Sequence, residues 1–175
     1  AVTGTAALNN STSAGLNLLN SDGGNDGNLT FTANTLNISN ASGGGAFVQR
    51  GTGSGRTDFD VTTGTISSGS RTPIFIANSG AATIDLGATF ASVSMNGNAN
   101  GIYIQNSLAT GTISGALDTG TGGTIQNTGA NAVNMNRLSA NITIGSAITT
   151  ASGGIRVTNQ VSGTNTFSGV HTLTD

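Results

Sequence analysis

A six-residue phrase recurs along this chain: glycine, an aliphatic residue, any residue, a second aliphatic residue, any residue, and asparagine. The six copies are GLNLLN (15–20), GAFVQR (45–50), PIFIAN (73–78), GIYIQN (101–106), GGTIQN (122–127) and GIRVTN (154–159). The last residues of successive copies are 30, 28, 28, 21 and 32 positions apart. Repetition at a period of 20 to 50 residues is typical of solenoids, in which each repeat adds one coil to a stack.

The phrase has the pattern of a strand that is buried on one side. Successive side chains of a strand point to opposite faces, so the second and fourth positions share one face. These positions hold Leu16 and Leu18, Ala46 and Val48, Ile74 and Ile76, Ile102 and Ile104, Ile125, and Ile155 and Val157, with a single gap at Gly123. Stacked copies would therefore form buried aliphatic columns. Differences in coil length would be absorbed by turns, with the shortest coil after Asn106 and the longest after Asn127.

The last position of the phrase predicts a second column, made of amides. It is Arg50 in the second copy and asparagine in the others: Asn20, Asn78, Asn106, Asn127 and Asn159. The side chain at this position points to the same inner face as those of the second and fourth positions, and it lies at the end of the strand, where the chain must turn. Stacked amides can donate to and accept from each other along the axis, and asparagine tolerates a left-handed backbone. We therefore predict a structural asparagine ladder with Asn78 and Asn106 on adjacent rungs.

The segments between the copies carry further short alternating runs, such as Phe59-Asp60-Val61, separated by turns rich in Gly, Asn, Ser and Thr. Two or three short strands in each coil are typical of a parallel β-helix. We predict an all-β fold, a right-handed single-stranded parallel β-helix of about six coils of 21–32 residues. Residues 1–175 would form one segment, a fragment of a longer solenoid. A β-sandwich or barrel remains the alternative.

The composition agrees with this fold and excludes several partners. All five basic residues are arginine and all seven acidic residues are aspartate, and long amphipathic helices are hard to build without lysine and glutamate. The net charge of −2 and the absence of a basic stripe argue against nucleic-acid binding. No run approaches the roughly 20 apolar residues of a membrane span. A hydrophobic content of 35% argues against disorder.

The third, outward-facing position of the phrase holds aromatic residues in three consecutive copies: Phe47, Phe75 and Tyr103. The outward glutamines Gln49, Gln105 and Gln126 flank this column. Stacked aromatic rings in contact with water are unfavourable unless they serve binding or are covered. We predict a contact face that stacks on sugars or seats a neighbouring chain. The alternative is that the rings only stack on one another beneath a covering loop.

The best candidate for catalysis is a cluster of carboxylates. Asp58 and Asp60 flank Phe59 on one strand, and Asp85 is expected on the next coil. Glycoside hydrolysis needs two carboxyl groups, one of them kept protonated. Arg56 lies close by in sequence, as does Arg71, which favours ion pairs on a solvated face. We therefore expect no catalytic pair and no enzymatic activity.

Three further segments predict no cofactor and no metal site. His171 is the single histidine, and without Cys or Glu it forms no recognisable zinc site, so we expect an exposed strand residue. The run Ser21–Asn28 is rich in the oxygen ligands that calcium prefers, but it occurs once, and we expect a polar turn. The glycine-rich run Gly51–Gly55 lacks the following lysine of a phosphate-binding loop.

At the repeated phrase, from Gly15 to about Asp175, the chain resembles the β-strand repeats of large bacterial autotransporter and filamentous-haemagglutinin-like passenger domains. The resemblance implies export to the bacterial cell surface, attachment to the outer membrane, and a long β-helix that acts in adhesion, aggregation or biofilm formation. It also implies host or neighbouring-cell proteins or glycans as partners, with possible self-association. Family members that are enzymes usually carry their active sites in appended domains, and no such insertion is visible in these coils.

These observations together predict a structural and adhesive surface-exposed stalk. A self-assembling extracellular fibre or sheath protein is the first alternative. A carbohydrate-active β-helix, of the tail-spike or lyase type, is the second alternative.

Overall fold

The computed structural model describes residues 2–9, 11–20, 27–150 and 153–173, and these residues form strands and turns only. No helix in this part of the chain could cross a membrane. The seventeen strands are β1 (Val2–Asn9), β2 (Ala14–Asn20), β3 (Leu29–Asn40), β4 (Gly44–Arg50), β5 (Arg56–Ser68), β6 (Ile74–Asn78), β7 (Thr83–Thr89), β8 (Ser92–Asn96), β9 (Ile102–Asn106), β10 (Thr112–Asp118), β11 (Thr124–Gln126), β12 (Val133–Asn136), β13 (Asn141–Ile144), β14 (Ala147–Thr150), β15 (Ile155–Thr158), β16 (Asn165–Phe167) and β17 (His171–Leu173).

The strands form two parallel sheets that wind around one interior. The six-stranded sheet has the order β15-β12-β9-β6-β4-β2. The other sheet contains eleven strands, and its long strands bend across two sides of the solenoid. The first half of β5 pairs with β7 and its second half pairs with β8. The next coil therefore has two short strands where this coil has one long strand.

This topology confirms the predicted all-β parallel solenoid. Each strand pairs in parallel with the equivalent strand of the next coil, for example β6 with β9. The six strands of the six-stranded sheet enclose about five full turns, close to the six predicted coils. The right-handed sense of the winding stays a prediction, and so does the interpretation of the chain as one segment of a longer solenoid.

The interior is filled by the aliphatic columns that the phrase predicts. Ile74, Ile76, Ile102 and Ile104 are fully buried. At the first and last strands of the six-stranded sheet the columns are less covered, since a neighbouring coil packs on one side only. Val157 is 37% exposed there, although its parity is inward.

The fifth copy of the phrase is not part of this stack, so the predicted register is wrong at that point. Ile125 lies in β11 of the eleven-stranded sheet, opposite Met95 of β8. The strand that follows β9 in the six-stranded sheet is β12, which places Val133 opposite Ile102 and Met135 opposite Ile104.

The corrected register also changes the coil lengths. The position equivalent to Asn106 is Arg137, 31 residues later, and the next is Asn159 after a further 22 residues. The short coil therefore follows Arg137, and not Asn106. The physical reason is core filling: β12 supplies two inward side chains, Val133 and Met135, whereas the predicted copy supplies only Ile125.

Candidate contact face

The three aromatic residues form one column on the outer side of the six-stranded sheet. Phe47, Phe75 and Tyr103 lie in register on β4, β6 and β9, as predicted, and each is half-buried. The Phe75 and Tyr103 ring centroids are 4.9 Å apart and their planes differ by 5°. The Phe47 and Phe75 centroids are 5.2 Å apart with an angle of 39°. Parallel strands lie about 4.8 Å apart, so register alone brings equivalent rings to stacking distance.

The Phe47 ring packs over Gly44 of its own strand. A methyl group at Gly44 would lie 2.6 Å from Phe47 Cε1, so the ring would have to move to admit a side chain there. Gly44 thus borders the column at this end. At the other end, Tyr103 borders a groove.

That groove lies on the outer side of β9, β12 and β15 and has a volume of about 400 Å³. It is lined by Tyr103, Gln105, Asn134, Asn136, Arg156, Thr158 and Asn159. Asn134 and Arg156 continue the register of the aromatic column over the next two coils. Of these residues, the sequence predicts Gln105 beside the column and Asn159 in the asparagine ladder. Asn134, Asn136 and Arg156 were not predicted as contact residues, because the aromatic signal ends at Tyr103 and the phrase register fails at the next coil.

The predicted flanking glutamines divide between two faces. Gln105 lines the groove, and Gln49 lies on the same sheet, where its Nε2 donates to Asn17 Oδ1 at 3.3 Å. Gln126 belongs to β11 of the eleven-stranded sheet, so its predicted place beside the column is wrong. Whether the column and its glutamines contact a partner stays a prediction.

The amide column is present at its centre but is bonded differently from the prediction. Asn78 and Asn106 lie on adjacent coils, as predicted, and are buried. Asn78 Nδ2 donates to the Ala82 carbonyl at 2.7 Å, and Asn106 Nδ2 donates to the Gly111 carbonyl at 2.7 Å. These side chains thus close their own turns, and the predicted ladder of bonds from one of these amides to the next is wrong.

Arg50 occupies the same column, and its longer side chain also bonds to a carbonyl of the turn that follows its strand. It is 2% exposed, and its Nη2 donates to the Ser54 carbonyl at 2.7 Å. The glycine-rich run 51–55 therefore wraps around a buried guanidinium. Asn20 lies opposite Arg50, and its Nδ2 donates to the Gly27 carbonyl at 3.3 Å.

The remaining two asparagines of the predicted ladder lie apart from its buried centre. Asn127 follows β11 in the eleven-stranded sheet and donates to Asn96 Oδ1 at 2.6 Å. Asn159 follows β15 and donates to Asn136 Oδ1 at 2.9 Å. Both have the left-handed backbone expected for a corner asparagine, with φ of 54° and 52°. Direct amide-to-amide bonds thus occur at the surface, where Asn127 and Asn159 are exposed.

The carboxylate cluster lies on a different side of the solenoid, on β5 and β7. Asp58 and Asp85 face each other across adjacent coils, and Arg56 forms ion pairs with both. Ser114 Oγ also donates to Asp85 Oδ1 at 2.8 Å. The predicted ion pairing is confirmed for Arg56; no ion pair of Arg71 occurs among the described residues.

Asp60 lies beside this ion-paired group. Burial is the main factor that raises the pKa of Asp60, and the negative charges of Asp58 and Asp85 raise it further, against the opposing effect of Arg56. The Asp60 carboxylate occupies the space above Gly87, where a methyl group would lie 2.3 Å from Oδ1. Three carboxylates thus share one arginine.

His171 points inward, so the expectation of an exposed residue is wrong. It lies opposite the buried Ile148, and both imidazole nitrogens are buried with no hydrogen-bond partner among the residues that the structure describes. Its ring meets Phe167 edge-on, with centroids 6.1 Å apart. Within the described ranges, no group of three His, Cys, Asp or Glu side chains could hold a metal ion. Residues 21–26 of the candidate calcium run lie outside those ranges.

No protein-family model, curated protein or solved structure matches this chain. What the chain does must therefore be argued from its own fold and surface.

Proposed function

We propose that this chain is a rigid, non-enzymatic stalk segment of a bacterial cell-surface protein, and that the outer side of its six-stranded sheet is an adhesive contact face. The single observation that carries the proposal is the column of Phe47, Phe75 and Tyr103, three half-buried rings stacked on consecutive coils. A repeating scaffold of parallel coils supports the stalk role, because each coil is held by its neighbours along the axis.

The chemistry of the column favours a partner with flat apolar patches edged by polar groups. Aromatic rings supply a large contact area at little cost in conformational entropy, and they stack on the apolar faces of sugars or on apolar side chains. Gln105, on the same face, can both donate and accept hydrogen bonds. A glycan or protein on a host or neighbouring cell fits this combination.

Cell adhesion tests the proposal directly. The purified chain, coupled to beads, is assayed for binding to host epithelial cells and to a glycan array, with Phe47→Ala/Phe75→Ala/Tyr103→Ala as the variant. Removing a central aromatic cluster typically weakens an interface by about 2 kcal/mol or more, roughly thirtyfold. A double variant at the exposed Thr63 and Ser67 of β5, on another face, is the matched control. Full binding by the aromatic variant, with unchanged circular dichroism, would refute the adhesive role.

The proposed location at the cell surface, attached to the outer membrane, has its own test. Protease added to intact cells of the source organism is expected to remove the native protein before any cytoplasmic marker is cut. Complete protection of the protein on intact cells would contradict a surface location.

A self-assembling fibre or sheath is the second candidate. An exposed apolar side chain in the middle of the chain, Leu108, offers a contact between neighbouring rods. Electron microscopy separates the candidates: short monodisperse rods support the stalk, and long filaments support the fibre.

A carbohydrate-active β-helix is supported less well. Asp58 and Asp85 are both ion-paired to Arg56, which favours a structural role for the two carboxylates on a solvated face. A reducing-sugar assay on bacterial and plant polysaccharides, with Asp58→Asn as the variant, tests this alternative. Cleavage that the variant loses would establish it.

A further inference from the structure

We infer that the groove beside Tyr103 binds an acidic polysaccharide, with Arg156 as the residue that recognises its carboxylate groups. This inference rests on the proposed contact face and names the class of ligand that the face takes.

The shape of the face suits a linear polymer that lies along the solenoid axis. Phe47, Phe75, Tyr103, Asn134 and Arg156 occupy the same outward position on five consecutive coils. Strands about 4.8 Å apart give this column a length of roughly 19 Å. The aromatic half and the polar groove therefore form one continuous strip, long enough for several sugar residues.

The polar half of the strip carries groups that recognise sugar hydroxyls. Gln105 and Asn134 each offer a carbonyl acceptor and an NH₂ donor, and Asn136 offers its NH₂ donor. The Asn136 amide is held in place, since its Oδ1 accepts from Thr158 Oγ1 at 3.1 Å and from Asn159 Nδ2 at 2.9 Å. A fixed amide beside an aromatic ring allows a sugar to stack and to form hydrogen bonds at the same time.

The charge of the groove selects an anion. Arg156 is exposed and is the one charged residue among those that line the groove. Within the described part of the chain both ion pairs belong to Arg56, so Arg156 has no carboxylate partner there. A guanidinium matches a carboxylate with two parallel hydrogen bonds. A nucleic acid fits less well, because it presents a phosphate at every nucleotide and this strip carries a single cation.

Binding to matched polymers tests the inference. The full chain is titrated in calcium-free buffer with polygalacturonate, alginate and hyaluronan, and with the neutral methyl ester of each. A separate titration uses poly(dT). We expect at least one acidic polymer to bind about tenfold or more tightly than its ester, as for one charge-assisted bidentate pair. Arg156→Gln should remove this preference, while Arg71→Gln, an exposed arginine outside the groove, should preserve it.

The outcomes separate this inference from the proposed function. Equal binding of each polymer and its ester, or a preference that survives in Arg156→Gln, overturns the acidic ligand. Binding to poly(dT) alone overturns it as well. If no polysaccharide binds but the aromatic variant still loses cell adhesion, the inference fails and the contact face stands. If adhesion is also unchanged in the aromatic variant, both fail.

Discussion

Alanine substitutions at two stacked asparagines should have unequal effects on stability. Asn78 is fully buried and makes three hydrogen bonds: Nδ2 donates to the Ala82 and Thr112 carbonyls, and Oδ1 accepts from Gly80 N. Asn106 is 2% exposed, but among the described residues its Nδ2 donates only to the Gly111 carbonyl, and its buried Oδ1 has no partner there.

The magnitudes follow from the number of bonds lost. A buried hydrogen bond contributes about 1 kcal/mol net to the free energy of unfolding. Asn78→Ala should therefore lower that free energy by about 3 kcal/mol and Asn106→Ala by about 1 kcal/mol. Both substitutions delete the same side-chain atoms, so we expect similar cavity costs, and the difference of roughly 2 kcal/mol then reports the hydrogen bonds.

Urea unfolding followed by far-ultraviolet circular dichroism at 25 °C measures both variants. Asn98→Ala, an exposed turn residue, is the control and should change stability by less than about 0.5 kcal/mol. Equal losses at Asn78 and Asn106 would refute the reasoning. Equal losses accompanied by strong coupling in the double variant would indicate instead that the two amides bond to each other.

Two further predictions concern the contacts between coils and the carboxylate cluster. Gly64→Ala should lower the free energy of unfolding by about 3 kcal/mol, because the added Cβ would lie 1.9 Å from the Leu36 carbonyl oxygen of the adjacent coil. Gly4→Ala, with no described atom within 4 Å of the added Cβ, is the control for the same urea titration and should be neutral. The pKa of Asp60 is raised in the folded chain, so the folded state holds the Asp60 proton more tightly than the unfolded chain does. The free energy of unfolding therefore falls as the pH rises, from the ordinary aspartate pKa of about 3.9 to the raised pKa above it. Asp60→Asn should therefore melt at a higher temperature than the parent at pH 7 and at the same temperature at pH 3; an equal gain at both pH values would contradict this.

The parallel solenoid could be predicted because its signal is local and repeated. Aliphatic residues at two alternating positions, such as Ile102 and Ile104, indicate a strand buried on one side, and the period indicates a stack. The predicted register is wrong at one coil, because residues 122–127 match the phrase better than β12 does. β12 nevertheless occupies this place in the six-stranded sheet, since its Val133 and Met135 side chains both fill the interior.

The contact face could be predicted only in part. Phe47, Phe75 and Tyr103 share a residue class at a constant spacing of 28, so their column is visible in the sequence. Arg156 occupies the third position of the last copy of the phrase but is not aromatic. Asn134 lies outside every copy, so only strand pairing places it in the same column. The bonds of the buried amides depend on the length of each turn, which determines the carbonyl that Nδ2 reaches.

Cysteine cross-linking at the coil after β9 tests the central claim, the register of the stacked coils, most directly. The chain has no cysteine, so any disulfide that forms joins the two engineered cysteines. Gln105 lies opposite Asn136 in the six-stranded sheet, whereas Gln126 lies in the other sheet opposite Asn96 and Thr149. Registered strands are close enough for a disulfide, which spans Cα separations of about 4.4–6.8 Å.

Gln105→Cys/Asn136→Cys should therefore oxidise readily to an intramolecular disulfide, detected by mass spectrometry of peptides. Gln105→Cys/Gln126→Cys should stay reduced under the same conditions. Efficient cross-linking of the 105–126 pair with none for the 105–136 pair would contradict the stacking on which the fold, the contact face and the groove all depend.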